Sequence, residues 1–412
     1  MFLFNPAGRI ALCVGFFCAY SESTLAVETV KSKALVEVVS TALAIHPKMQ
    51  LAKARLEQAV AESKAKMQPL YNPELSLDYE SNVENVSTIG ISQTFDWSDK
   101  QGANQLIAEQ RQFSAKSEYV RIRQSIAADF LKKINLSQST RDVALLNLQQ
   151  LDTLKEFVDI AEQRFKVGDI SQVELDLALL TAGELRLSSA KIQSDNFLAQ
   201  LSLDAFLNFG KLAIPELNIN FIIVGSEKTE QLLQNHPLLK QLLIASKMSK
   251  NEIKLAQRQA RSDPTLSINA GKDGDESIVS LGFSMPLFVR NNYSAEVDAA
   301  IANSVAVEQN YLNAYRDIFV QVKSTKQRLN LTLSAYQSWI AQSYSGLQQR
   351  GQLLQKLWKS GDLETTDYLV QLQQTLNTQI AATQLKAEVI NAWIEFLVAS
   401  GQIDQWLMLE NS

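Results

Sequence analysis

Few side chains in this sequence could do chemistry. Only two histidines occur in 412 residues, His46 and His236, and a proline follows each. Imidazole is the commonest metal ligand and proton carrier near neutral pH. A zinc site needs three or four convergent ligands, however, and His-Pro ahead of a helical run reads more simply as a cap and turn. Both cysteines, Cys13 and Cys18, fall in an apolar N-terminal stretch. The acids are more pointed. Asp169, Glu174 and Asp176 follow Gly168, and Asp362, Glu364 and Asp367 follow Gly361. Acids in a helix's first turn complement its dipole, so capping accounts for many of them. Gathered at a narrow opening, the same carboxylates would create a strong negative potential. No nucleophile elbow, phosphate loop, HExxH pair or dinucleotide turn appears. The expectation is a protein that is not an enzyme and holds no cofactor and no metal.

The elements that carry these acids are long helices. Lys166-Val-Gly168-Asp169 and Lys359-Ser-Gly361-Asp362 each interrupt a Gln-rich helical run that restarts at once. Glycine takes the left-handed position that ends a helix, and a following Asp, Ser or Thr caps the next. Each stop folds the returning helix back antiparallel. The first long helix spans about residues 102 to 166, its twin about 292 to 359; some 65 residues at 1.5 Å each reach roughly 97 Å. Leu151, Leu154, Val158, Ala161 and Phe165 recur at heptad spacing, as do Ile340, Tyr344, Leu347, Gly351, Leu354 and Trp358, the seam of a coiled coil. The return helix, about 171 to 208, covers little more than half that length. A helix beginning at Pro47 would complete it by stacking end to end.

Between helices lie period-two runs. Leu75, Leu77 and Tyr79 share one face, as do Ile89, Ile91, Phe95 and Trp97, and then Val279, Leu281, Phe283, Met285 and Leu287. Strands of this length with one apolar and one small or polar face suit a membrane barrel, and equally a half-buried soluble hairpin. The N-terminus decides for the barrel. Arg9 precedes a short apolar run, and Thr24-Leu-Ala26 offers a cleavage site, so residues 1–26 read as a secretory signal. After it no run approaches the roughly 18 apolar residues of a membrane helix. An exported chain held in an outer membrane is then held by strands. A net charge of -5 argues against nucleic acid as a partner. Charges at the strand-to-helix turn, Asp96, Asp99 and Lys100, read as solvated.

The whole pattern occurs twice. His46-Pro47, Pro73, Ile89-Gly90, Gly168-Asp169 and Phe206-Leu207 reappear as His236-Pro237, Pro264, Leu281-Gly282, Gly361-Asp362 and Phe396-Leu397, all offset by about 190 to 193 residues. The expected organisation is a signal (1–26), a first repeat (27–210), a linker (211–228), a second repeat (229–401) and a tail (402–412). The fold class is mainly α with a small β part: long coiled-coil hairpins plus four strands per chain, by internal duplication. Four strands cannot close a barrel with a lumen, and lipid-exposed edges are forbidden, so other copies must complete it.

The His-Pro helix starts, Asn72-Pro-Glu-Leu-Ser-Leu-Asp-Tyr-Glu80 and the two Gly-Asp tips resemble the TolC-like outer-membrane factor family over nearly the whole mature chain. Two segments, 90–103 and 281–292, resemble its heavy-metal branch, the outer-membrane subunits of cobalt–zinc–cadmium-type RND efflux pumps. The resemblance implies a homotrimer with a twelve-stranded barrel in outer-membrane lipid and a helical tunnel in the periplasm of a Gram-negative bacterium. It implies a periplasmic adaptor and an inner-membrane RND pump as partners. Asp367 matches an aspartate lining the closed constriction; Asp362, Glu364, Glu174, Asp176 and Asp169 would join it as a gate of acid rings. Lys166, Val167, Gly168, Lys359, Ser360 and Gly361 would dock the adaptor. The function implied is a passive exit duct for heavy-metal cations. A duct for drugs or secreted proteins is the alternative within the family, and a soluble periplasmic coiled-coil scaffold the alternative outside it.

Overall fold

Scarce glycine and proline let two helices run uninterrupted for 67 residues each, α3 (Lys100–Lys166) and α7 (Ser294–Ser360). At 1.5 Å per residue each is about 100 Å long. The computed structural model describes residues 34–81, 85–208, 210, 212–222 and 228–407; the expected secretory signal, residues 1–26, lies outside the described residues. Ahead of the long helices come α1 (34–45), which runs into α2 (Pro47–Lys66) through His46, and α5 (Thr229–Asn235), which runs into α6 (Pro237–Gln259) through His236. The returning helices are α4 (Gln172–Phe206) and α8 (Thr365–Ser400), and a short α9 (Ile403–Trp406) ends the described chain.

Both α2 and α4 pack along α3, and both α6 and α8 pack along α7. Each pair of shorter helices therefore stacks end to end beside one long partner. The joints are well marked. His46 meets Phe206 at the end of α4, ring centroids 4.6 Å apart, and Phe206 stacks on Phe130 of α3 at 4.8 Å. At the second joint Gly401, φ +70°, ends α8 so tightly against the other His-Pro step that a Cβ there would stand 2.6 Å from Pro237 Cδ. The largest core surrounds both joints, with Leu35, Phe130, Leu131, Trp393, Ile394 and Ile403 inside it. There Arg123 of α3 donates from Nε and Nη2 to the two Asp404 carboxylate oxygens (3.2 and 2.8 Å), tying α9 to the first repeat. The connecting segment is pinned too. Gln138 donates to the Pro215 carbonyl (2.9 Å) and accepts from Leu217 N–H (3.0 Å).

Four strands form one antiparallel sheet, β1 (Glu74–Ser81), β2 (Asn85–Thr94), β3 (Thr265–Asp273) and β4 (Glu276–Ser284), in that order. The register puts Leu75, Ile91, Ile268 and Leu281 in one row and Leu77, Ile89, Ala270 and Val279 in another on the same face. Ser76, Gly90, Asn269 and Ser280 form a row on the opposite face. The apolar face is bare: Leu75 is 70% and Leu281 81% exposed. At Gly90 a Cβ would fall 1.9 Å from Asn269 Oδ1, so a larger residue there would have to push that side chain aside. Strands of 8 to 10 residues reach about 26 to 33 Å, a hydrocarbon thickness. Two expected strands end early, leaving Phe95 and Trp97 beyond β2 and Met285 and Leu287 beyond β4.

The strand-to-helix junction departs from the sequence expectation. Asp96 and Lys100 are not solvated charges, whereas the Asp99 side chain is exposed, as expected. Asp96 accepts from the backbone N–H of Lys100 (2.8 Å) and Gln101 (2.7 Å), capping α3. Asp99, at φ +58°, pairs with Arg258 at 2.8 Å. Lys100 Nζ reaches across to Asp263 of the second repeat at 2.8 Å, with both side chains largely withdrawn from water. Asp263 also accepts from Tyr71 Oη (2.7 Å) and Ser98 Oγ (3.2 Å). Burial alone would raise its carboxyl; the hydrogen bonds from Lys100 and Tyr71 outweigh that and hold it below its usual range. The Tyr71 phenol is pushed up to about 12 by burial and by that carboxylate.

Candidate functional site

The hairpin tips collect most of the residues singled out in the sequence. At the first, Val167 and Gly168 (φ +80°) close α3, and Asp169 N–H donates to the Arg164 carbonyl at 2.9 Å. Ser171 then starts α4 through a capping box. Its Oγ accepts from Glu174 N–H at 3.3 Å, and the Glu174 carboxylate accepts from Ser171 N–H at 2.7 Å. Those bonds from Ser171 hold the Glu174 carboxyl below its ordinary range. At the second tip Gly361 (φ +83°) ends α7, and Asp362 N–H donates to the Leu357 carbonyl at 2.9 Å. Glu364 is the cap residue of α8 but makes no side-chain cap bond.

The two tips are one structure. Trp358 of α7, Tyr368 of α8 and Phe157 of α3 are all buried, with ring centroids 4.3 to 5.3 Å apart. Burial pushes the Tyr368 phenol up to about 12. Arg164 spans the gap between the hairpins. Its Nε pairs with Asp169 at 2.5 Å, its Nη1 donates to the Trp358 carbonyl at 3.2 Å, and its guanidinium lies 5.5 Å from the Trp358 ring centre. Lys359 pairs with Glu156 of α3 at 2.6 Å.

Of the acids, Glu174 is spent on its cap, Asp169 on Arg164, Asp176 accepts from Gln172 Nε2 (2.7 Å), and Asp362 accepts from Ser360 Oγ (2.7 Å). Asp367 is exposed in the first turn of α8. Among the docking residues, Lys166, Val167, Gly168, Ser360 and Gly361 are exposed at the outermost turns, and Val167 is 80% exposed. The heptad seam needs revision in both long helices, and Ile340 of the second is 41% exposed. Phe165 is partly exposed, and Phe157, which the seam omitted, is the buried aromatic. The side chains of Tyr344 and Leu347 lie outside the described residues. Arg164 and Glu156 went unmarked in the sequence, because nothing local distinguishes an arginine or glutamate that bonds across hairpins.

The histidines behave differently from each other. His46 Nδ1 accepts from Lys48 N–H at 3.2 Å and caps α2, as expected. His236 caps nothing with its side chain, its Nδ1 is buried without a partner, and burial brings its pKa down to about 4. Among the described residues no group of three or more His, Cys, Asp or Glu is placed to hold a metal, and no helix is long and apolar enough to cross a membrane.

This combination of paired long hairpins and a four-stranded sheet with a bare apolar face is the fold of TolC-like outer-membrane channels. The chain superimposes on CusC, a transmembrane channel, with TM-score 0.75 and 17% identity over 89% of this chain and 92% of that one. It superimposes on the Campylobacter jejuni outer-membrane channel CmeC with TM-score 0.72 and 15% identity, covering 89% and 85%. The Vibrio cholerae outer-membrane protein VceC gives 0.69 and 18%, covering 89% and 96%. No protein-family model and no curated protein sequence matches the chain.

Proposed function

We propose that the chain is one protomer of an outer-membrane exit duct in a tripartite RND-type efflux system. It conducts passively what an inner-membrane pump and a periplasmic adaptor deliver. The observation that carries this reading is the sheet: an apolar face, a polar face, a bilayer's thickness and two unpaired edges. Lipid tolerates strands only in a closed barrel, so further copies, three in all, supply the missing partners. The α-helical hairpins form the periplasmic tunnel, and their tips dock the adaptor through Val167, Gly168, Ser360 and Gly361. Heavy-metal cations are the assigned cargo, on the resemblance of segments 90–103 and 281–292; with no metal-holding group of His, Cys, Asp or Glu among the described residues, selection rests with the pump and adaptor.

Fractionation tests the duct itself: the mature protein should follow outer-membrane markers, and recovery in the soluble fraction would sink the reading. A deletion strain should become sensitive to cobalt, zinc or cadmium; sensitivity to drugs alone would move the cargo to organic molecules. Asp367 and Glu364 are exposed acids available to line the narrow end, and Asp367 is the one the resemblance points to. Asp367→Asn removes three charges per trimer at nearly constant volume, so cation preference in reconstituted bilayers should fall. Unchanged ion preference would return Asp367 to a helix-cap role.

A further inference from the structure

Charge on the sheet is sorted by face. The carboxylates of the four strands, Glu74, Asp78, Glu80, Asp273 and Glu276, all fall on the polar face by parity and register. The strands' single cation, Lys272, falls on the apolar face. Its row reads Tyr79, Ser87, Lys272 and Ser277, one row beyond Leu77, Ile89, Ala270 and Val279. Same-face rows lie about 7 Å apart along a strand. The helices join the sheet at Glu74, Thr94, Thr265 and Ser284, so the lysine row belongs to the far end, beside the turns. Lys272 and Tyr79 are both exposed, and the serines flanking Lys272 supply no counter-charge. Among the described residues Lys272 makes no ion pair. One row inward on β3, Ala270 is the small member of its row and leaves a notch between Ile89 and Val279. A cation on a lipid-facing strand is destabilising at depth but tolerated at the headgroup level.

We propose that this row binds a phosphorylated, acylated glycolipid of the outer leaflet. The inference rests on the barrel reading above, which sets the apolar face in lipid and the far end of the sheet outside. The Lys272 ammonium, carried on its flexible stem to the headgroup level, takes the phosphate. The hydroxyls of Ser87, Ser277 and Tyr79, the last about 10 Å away across one strand, face the sugar. An acyl chain lies in the notch at Ala270. A zwitterionic lipid is disfavoured, because its own ammonium already balances its phosphate. The sorting of charge makes the site selective: a carboxylate on this face would repel the phosphate, and all five stand across the sheet.

The test places the detergent-extracted protein in phosphatidylcholine nanodiscs and counts the retained minor lipid by native mass spectrometry. The minor lipids are diphosphoryl lipid A, lipid A stripped of its phosphates, and phosphatidylglycerol. Diphosphoryl lipid A should be retained above the other two. Lys272→Gln should lower its retention about fivefold, and Lys272→Arg should keep it. Lys272 is exposed near a strand end, so neither change threatens the fold. Equal retention by wild type and Lys272→Gln would overturn the proposal while leaving the duct intact. Phosphatidylglycerol held as tightly as lipid A would overturn the glycolipid as occupant. A chain that does not enter nanodiscs at all would overturn the barrel reading and this site with it.

Discussion

At the scale of single residues, the two histidines show how the same His-Pro step leads to different chemistry. His46 spends its ring nitrogen on a cap, whereas His236 hides Nδ1 in the joint below α8. Its pKa is about 4 in the fold against 6.5 in a free chain. Between those values the unfolded chain takes up a proton that the folded chain refuses. Stability is therefore complete above pH 6.5 and declines as the pH falls toward 4, by about 2 kcal/mol between pH 7 and 5. Thermal melts of His236→Asn should show a correspondingly shallower loss over that range; equal slopes for variant and wild type would place the acid sensitivity elsewhere. The sequence announced both histidines but not this contrast, because burial depends on what the chain brings in from some 165 residues away. Asp263 was hidden for the same reason. Its partners Tyr71, Ser98 and Lys100 belong to the other repeat, and a lone aspartate before proline resembles any turn residue.

At the scale of elements, periodic patterns transferred almost intact into structure. The alternation read in β1, β2 and β4 became one apolar and one polar face, because side-chain direction in a strand depends only on parity. Helix ends were readable to within two residues, because Gly168, Gly361 and Ser171 act through their own backbones. Seam membership was less readable: Phe157 and Phe165 are both aromatic at plausible spacing, and only the partner helix decides between them. The same distinction separates the glycines. Gly168 and Gly401 are both left-handed, at φ +80° and +70°, but only Gly401 is crowded. Gly168→Ala should cost about 1 to 2 kcal/mol from backbone conformation alone. Gly401→Ala adds a clash with Pro237 and should cost at least about 3 kcal/mol, separating α6 from α8 at the joint. Denaturant midpoints of the two variants give the comparison directly, and equal shifts would mean the joint yields freely.

At the scale of the molecule, the chain is a rigid rod with an unfinished end. Helices satisfy their own backbone hydrogen bonds, but Phe113, Leu187, Phe197 and Leu331 on them are each more than 60% exposed, and β1 and β4 each pair on one side only. The protein extracted in detergent should therefore sediment as a trimer, with a far-ultraviolet signal dominated by helix and a minor strand component. A monomer that keeps full conductance after reconstitution would contradict the shared barrel. Oligomeric state was legible only as a shortage, four strands where a lumen needs more. The number of copies enters through the resemblance to known channels and through no residue of this sequence.

The unpaired edges also have a genetic consequence. In the proposed trimer, a barrel finished only by its neighbours would make every copy hostage to the others. A proline in the middle of β4, at Ser280 for example, would leave the rod intact and spoil one seam of the ring. In the proposed trimer, such a chain would still enter assemblies through its sound edge at β1. With equal amounts of sound and faulty chain, random threefold assembly leaves roughly one ring in eight free of the fault. Damage to this edge would therefore behave as dominant in a cell carrying both alleles, whereas damage that unfolds the rod would be recessive.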